Sequence, residues 1–501
     1  MNNFSSTFQH NEPPPLPALQ SANVAAGQIL LINPFYAKTS VTSAGKHVLT
    51  PALSLTAIAA ATPPGFKVRF WDENLLGGAA PADPVPELVG ITVHLTFAER
   101  AYALAQRYRQ LGSVVVLGGL HVTACPDEAQ RHADAIVVGA GVQVWPVLLE
   151  DHRQGALRSR YAGSYHVPYA GEPRPDRSIL PKQAFLTAGS VIATRGCSNR
   201  CGFCYLATDG LRMPYQKKPP AQVVAEIRAL DERYIVFLDN NLTADRGYAA
   251  SLCDALEPLH IIWSAAVTID TATDDALLRK MAHSGCTGVF VGFESMQEQN
   301  LINAGKRTMS PARYAEHVKK FHDVGIQVDG SFVFGFDGDG PEVFEHTVDW
   351  IEQNRLECAT FHILTPYPGT PLFRDLEAAG RLLTRDFGQY NTSRAVFAPA
   401  RMSAAQLEQG YAYAYRRTFG WRSIWRRRPV GLVAALSYLA MAILYKKCNA
   451  LWRLLIRFHL TRAVWRPLVF MAWLAHGWRF RAAQRPRAAA GFSGAGAEGL
   501  L

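Results

Sequence analysis

Cysteine is scarce, eight in 501 residues, and Cys125, Cys253, Cys286, Cys358 and Cys448 stand singly along the chain. Such spacing excludes the disulfide framework of a small secreted domain, and these five read as buried small hydrophobes. Charge is low too, at 18% Asp, Glu, Lys and Arg, and acidic residues are missing altogether between Gln409 and Arg487. That stretch holds sixteen of the 51 Lys and Arg, so the rest of the chain, which keeps all 41 acids, is mildly acidic. The formal charge of +10 therefore belongs to one segment, and the body has no need of an anionic polymer. The apolar run from Val430 to Tyr445 stops at 16 residues, short of the ~20 a spanning helix needs. Through about Gly27 there is no apolar stretch after a basic start, only Glu12-Pro-Pro-Pro15, so no secretory signal is expected there. The length exceeds one ordinary core and predicts two or three domains.

The other three cysteines are close together, in Cys197-Ser-Asn-Arg-Cys201-Gly-Phe-Cys204. Three intervening residues and then two allow one tight loop to aim three thiolates at an iron-sulfur cube while the fourth iron keeps no protein ligand. An iron with an open position can bind a substrate, whereas a fully ligated cluster suits electron transfer. Zinc is the alternative, but structural zinc normally takes a fourth Cys or His at a matching spacing, and none lies nearby. A free-thiolate cluster needs a reducing compartment, which makes the expected location cytoplasmic.

Two alternations of strand and helix follow from the apolar periodicity. The first has strands at 28–32, 67–71, 88–92, 113–117 and 135–138, with helical stretches at 53–61, 98–110, 126–131 and 144–150. This pattern predicts a parallel, doubly wound α/β sheet whose ligand sits beyond the carboxyl ends of its strands. Gly118-Gly119 falls at such an end, with His121 and Thr123 after it. After a polar, Pro-rich stretch from about Gly155 to Gln183, six more strand-helix units run from Val191 to Leu364. Six units are too few for an eight-stranded barrel and predict an open partial one, with its site at the carboxyl ends. Asp239-Asn-Asn241 and Gly292-Phe-Glu-Ser295 stand at two of those ends. Asp239 also reads as a helix cap and Glu294 as an ordinary first-turn residue. His362, on the last strand, reads either as an acid or base near the site or as a satisfied core histidine.

With Arg195-Gly196 before its first cysteine and Phe203 before its last, the cysteine loop resembles the cluster loop of the radical S-adenosylmethionine (SAM) superfamily. The segment Gly118-Gly-Leu-His-Val-Thr123, followed by Pro126-Asp-Glu128, Asp134 and Val138-Gly139, is similar to the cobalamin-binding domain found ahead of many radical SAM domains. Together they resemble the group that includes class B methyltransferases and the anaerobic cyclase of chlorophyll synthesis. The resemblance implies a flavodoxin-like cobalamin-binding domain, then a partial (β/α)6 radical SAM barrel and a helical C-terminal region. It implies a [4Fe-4S] cluster on Cys197, Cys201 and Cys204, SAM at Asp239, Asn240, Glu294 and Ser295, and cobalamin at Gly118, Gly119, His121 and Thr123. Two departures stand beside it. The family's usual Gly-Glu-Gly-Glu is Gly139-Ala-Gly-Val142 here, and no Asp-x-His-x-x-Gly supplies a histidine to cobalt, since Asp151-His152 has the wrong spacing. A sheet that binds nothing is the alternative.

The resemblance implies an enzyme that reductively cleaves SAM and, with cobalamin, methylates an unactivated carbon of a small or lipid-like hydrophobic substrate, with electrons from a flavodoxin or ferredoxin. The alternatives are a radical cyclisation, oxidation or rearrangement without methyl transfer, and a non-catalytic cobalamin-binding sensor. The expected organisation is a disordered leader over 1–27, a cobalamin-binding-like domain over 28–155, a linker over 156–186 and a radical SAM domain over 187–397. A basic helical tail over 398–487 and a disordered end over 488–501 complete it. Six of the ten tryptophans lie among the tail's cations, a pairing that suits an anionic membrane surface. Helices packed as a cover on the barrel, or a true span, are the other readings. Long aliphatic runs between the cations disfavour nucleic acid.

Overall fold

The structure is a computed structural model that describes residues 13–19, 24–36, 50–75, 77–208, 210–306, 310–429, 431–447 and 449–480. The first sheet contains β1 (Val24–Asn33), β2 (Lys67–Asp72), β3 (Val85–Thr92), β4 (Val114–Gly118), β5 (Ala135–Gly139) and β6 (Arg160–Gly163) in the order β2-β1-β3-β4-β5-β6. All of its pairs are parallel. Leu30 and Ile32 bury toward one layer with Val89 and Leu117, and Ile29 and Leu31 toward the other with Val116 and Leu148. A strand with two buried faces needs the continuous apolar run seen at 28–32.

The second sheet contains β7 (Ser190–Val191), β10 (Tyr234–Phe237), β11 (Ile262–Val267), β12 (Cys286–Glu294), β13 (Gln327–Phe334) and β14 (Cys358–Ile363). Its order is β14-β13-β12-β11-β10-β7 and its pairs are parallel, as expected of an open six-stranded barrel. Between β7 and β10 a short antiparallel pair, β8 (Thr194–Arg195) with β9 (Gln216–Lys217), brackets the cysteine loop.

Two expectations about the ends of the first domain change. The sixth strand of the first sheet lies at 160–163, inside the stretch expected as a linker, where four residues among prolines and charges carry no periodic signal. The described part of the expected leader also packs: Leu16 lies on the first core and Pro14 accepts a hydrogen bond from Arg100 at 2.6 Å. Residues 1–12 and 488–501, expected to be disordered, lie outside the described residues.

The tail consists of helices at Ala404–Thr418, Trp421–Arg426, Leu432–Lys447, Asn449–Arg457 and Thr461–Phe480. Among the described residues no helix is long and apolar enough to cross a membrane. The helices close the amino end of the barrel. Arg427, 1% exposed, donates to the carbonyls of Leu356 (2.6 Å) and Glu357 (3.2 Å), just ahead of β14, and of Thr418 (2.6 Å). Trp473 donates to His260 O at 2.6 Å, ahead of β11, and Arg462 pairs with Glu232 at 2.7 Å, ahead of β10. Arg417 and Arg426 pair with acids of the helix Val343–Gln353. Part of the basic tail thus answers the acidic body. Of its six tryptophans, Trp452 and Trp465 are buried and Trp473 is pinned, while Trp421, Trp425 and Trp478 are exposed.

Candidate active site

The cysteine loop is fixed at both flanks and at its centre. Asp239, at the carboxyl end of β10, accepts from the backbone N–H of Ala193 (3.3 Å) and Thr194, and from the Thr194 hydroxyl (2.7 Å). Gly196 has φ +81, and a Cβ there would come within 2.5 Å of Pro214 O, so only glycine makes this turn into Cys197. In the middle, Gly202 donates to Ala304 O (2.9 Å) and accepts from Leu372 N (3.2 Å). These bonds present three thiols on one loop. Burial pushes Cys201 up to about 12, against the nearby positive charge of Lys306, and raises Cys204. Thiols this disfavoured as thiolates suit a cationic cluster that supplies the missing charge. The donor set fits an iron-sulfur cube with one open iron.

Glu294 ends β12 at φ +62, where the pairing with β13 shifts register between Gly292 and Glu294. A bulge at a strand end re-aims the side chain, and here it turns Glu294 into the same cavity as Cys204. Lys306, 7% exposed, holds it, with Nζ at 2.8 Å from Glu294 Oε1 and 2.6 Å from Gly292 O. Lys306 is a site residue that the sequence did not reveal. It lies in a turn beyond a short helix, with no motif around it.

The other expected SAM residues have different surroundings. Asp239 is 3% exposed and committed to the loop, and burial raises it to about 6. Its position is that of a strut for the cluster loop. Asn240 is exposed and accepts from the Tyr205 hydroxyl at 3.0 Å. Ser295 is buried and accepts from Gln297 N and Asn300 Nδ2, both at 3.1 Å.

Above the loop opens a cavity of about 650 Å³. Tyr36, Phe97, Phe203, Phe361, Tyr367 and Tyr411 give it an aromatic lining, and Thr360, His362 and Asn391 add polar points. His362 faces this cavity and its Nδ1 lies 3.2 Å from the Thr392 hydroxyl.

A second cavity, of about 450 Å³, lies between the first sheet and the barrel. Leu31 of β1, Thr92 of β3, Gly118 of β4 and Gly139 of β5 line it, at the carboxyl ends where the strand order reverses. Gly119 has φ +114, and a Cβ there would meet Val93 O at 2.7 Å. Gly118, Gly119, Ala140 and Val142 face this space, so the residues replacing the family's carboxylates form part of its wall. His121 and Thr123 do not face it. His121 is 2% exposed with Nε2 3.1 Å from Glu128, and Thr123 accepts from Gly139 N at 3.0 Å, tying two glycine loops together. The glycine cradle and apolar lining fit a bulky planar cofactor approached by backbone, and no histidine side chain from Gly118–Thr123 enters it.

Among the described residues, His94 alone lines both cavities. It caps the turn after β3, with Nδ1 toward Thr96 N, and burial lowers it to about 4, so its imidazole is neutral. A histidine just past a strand at the switch point was the available signal.

Residues 191–351 match the family model of the Radical SAM superfamily. Over 441 residues the chain is 28% identical to bacteriochlorophyllide d C-12(1)-methyltransferase of Chlorobaculum tepidum, covering 85% of this chain and 95% of that one. It is 26% identical over 409 residues to the C-8(2)-methyltransferase of the same organism, covering 77% and 90%. Among solved structures, the cobalamin-dependent SAM radical enzyme OxsB superposes with a TM-score of 0.62 at 14% identity, over 91% of this chain and 80% of that one.

Proposed function

We propose that this chain, whose residues 191–351 form a radical SAM domain, is a cobalamin-dependent radical SAM enzyme that methylates an unactivated carbon of a hydrophobic substrate. The observation that carries the reading is the meeting of two cavities at His94, one lined by Cys204 of the three-cysteine loop and by Glu294, the other cradled by Gly118 and Gly119. A cluster held by Cys197, Cys201 and Cys204 would supply one-electron cleavage of SAM, and a methylated cobalamin in the cradle of Gly118 and Gly119 would supply a transferable methyl group.

The chain's own residues orient and enclose these reactants. Cys197, Cys201 and Cys204 hold the cluster, and Asp239 keeps their loop in place. Glu294, steadied by Lys306, accepts the ribose hydroxyls of SAM, while Ser295 fixes the turn that follows it through Gln297 and Asn300. The aromatic cavity suits a flat apolar substrate fixed by a few polar contacts. Both curated relatives described above are named for methyl transfer to bacteriochlorophyllide d, a ring system of that kind.

A small electron carrier such as flavodoxin or ferredoxin would supply the electron, in a cytoplasmic setting. The tail's outer face rests on an anionic membrane: Trp421, Trp425, Trp478 and Phe458 are exposed beside exposed Arg422, Arg457 and Arg466. Product analysis with SAM labelled on its methyl group tests the reaction. Labelled methyl in the product supports transfer; deoxyadenosine with an unlabelled product assigns the enzyme to another radical outcome.

A further inference from the structure

At the amino end of the barrel lies a third, partly open cavity, of about 450 Å³, that shares no lining residue with the two above. One wall is made by the first residues of the barrel strands, among them Tyr234, Ile262 and Thr287. The other wall is two tail helices, which present Ala434 and Ala442 from Leu432–Lys447 and Ala472 and Ala475 from Thr461–Phe480. Four alanines on facing helices hold open a space that leucines would close. The space between the walls is wide enough for a slender apolar ligand and is open to solvent at one side. Trp465, on the lining, has a buried indole N–H with no partner among the described residues.

The polar groups of the lining differ in how far they are committed. Arg427 is consumed by backbone carbonyls, and Glu357 accepts from Val328 N (3.0 Å) and contacts His322 (3.2 Å). Arg479 lines the cavity yet is exposed, donating to Asp323 O at 3.4 Å and lying 5.3 Å from the Phe480 ring centroid. It follows Trp478, which is 73% exposed, on a helix that also exposes Phe470 and Met471. The mouth therefore has a cation and opens beside the apolar outer surface of a tail without acids between Gln409 and Arg487.

We propose that this cavity takes one hydrocarbon chain of an anionic membrane lipid, whose headgroup pairs with Arg479. Charge complementarity selects the headgroup, and the alanine-lined space selects a slender apolar chain. The proposal does not depend on the reaction at the other end of the barrel.

The test is native mass spectrometry of delipidated full-length protein in neutral detergent, titrated with dioleoylphosphatidylglycerol or dioleoylphosphatidylcholine. Wild type is expected to retain one lipid and to prefer the glycerol headgroup. Ala472→Phe and Ala442→Leu, which fill the space from opposite walls, should each lower occupancy about tenfold, the worth of a side chain's apolar burial. Arg479→Gln should keep the chain bound and erase the headgroup preference. Folded filler variants with unchanged occupancy would overturn the proposal, as would a wild type that retains no lipid. If the fillers do not fold, the exposed Arg479→Gln decides alone, and an unchanged preference for the anionic lipid defeats the idea.

Discussion

At the carboxyl end of the barrel a few polar groups are held under constraint, whereas at the amino end apolar bulk and buried arginine close the bottom. Glu294 sits at φ +62 against Lys306, and Asp239 ends on the backbone of the loop that precedes Cys197. Beneath the same strands, Arg427 spends its guanidinium on three carbonyls, and Trp473 reaches His260 O. The first end keeps polar groups in a constrained arrangement beside a cavity, whereas the second is packed and hydrogen-bonded. Changes at the two ends should therefore separate chemistry from stability.

The largest separation is expected from the cysteines. Alanine at Cys197, Cys201 or Cys204 should abolish both the four-iron absorbance and SAM cleavage, since two thiolates are too few anchors. Cys253→Ala and Cys286→Ala, buried in the core away from the loop, should leave the absorbance intact. Loss of the cluster from either core variant would break the assignment. At the opposite end, Arg427→Ala takes the donor from two buried carbonyls and one half-buried carbonyl and should cost about 3 kcal/mol in denaturant unfolding, with SAM affinity retained. A change in SAM affinity without loss of stability would erase the distinction between the ends.

Asp239 links loop geometry to pH. Burial raises its carboxyl to about 6, above the unfolded range, so its stabilising form is the neutral one. That contribution is complete below the unfolded pKa and is lost as pH rises through about 6. Asp239→Asn removes the dependence, so between about pH 4 and 7 the wild type should lose roughly 2 kcal/mol relative to the variant. Parallel stability curves would show that this carboxyl does not titrate there.

How much of this was legible follows from how local each signal is. The cysteine loop is a contiguous stretch, and the alternating apolar runs carried both parallel sheets because a doubly buried strand must be apolar throughout. Glu294 was legible as a strand-end carboxylate, but its partner Lys306 is twelve positions on and meets it only through the fold. Asp239 was found, yet its direction was not, because sequence places a residue at a strand end without saying whether it faces a cavity or a neighbouring loop. The direction of His121, toward Glu128, was hidden for the same reason. In the tail the cations read as one basic surface, and the fold divides them: Arg417, Arg426 and Arg462 meet body acids distant in sequence, and Arg427 is buried.

Smaller effects sharpen the same comparison. Glu294→Gln keeps the side chain's shape without its charge, so under the proposed contact with the SAM ribose calorimetry should show SAM affinity weakened by about 1 to 2 kcal/mol with the cluster unchanged. Unaltered affinity would return Glu294 to a structural role. The smallest expected effect is at the amino end, where the pair Trp421→Ser and Trp425→Ser should reduce sedimentation with anionic vesicles by less than about tenfold. Neither stability nor SAM cleavage should move, because both rings are exposed.

The central claim is that the loop at Cys197, Cys201 and Cys204 opens SAM chemistry at the carboxyl end of this barrel. Its most direct test is to reconstitute the full-length protein anaerobically, reduce it, add SAM and measure 5′-deoxyadenosine. The account predicts deoxyadenosine from the wild type and none from Cys201→Ala. A wild type carrying a complete four-iron cluster that forms no deoxyadenosine, or a Cys201→Ala protein that forms as much, would contradict it.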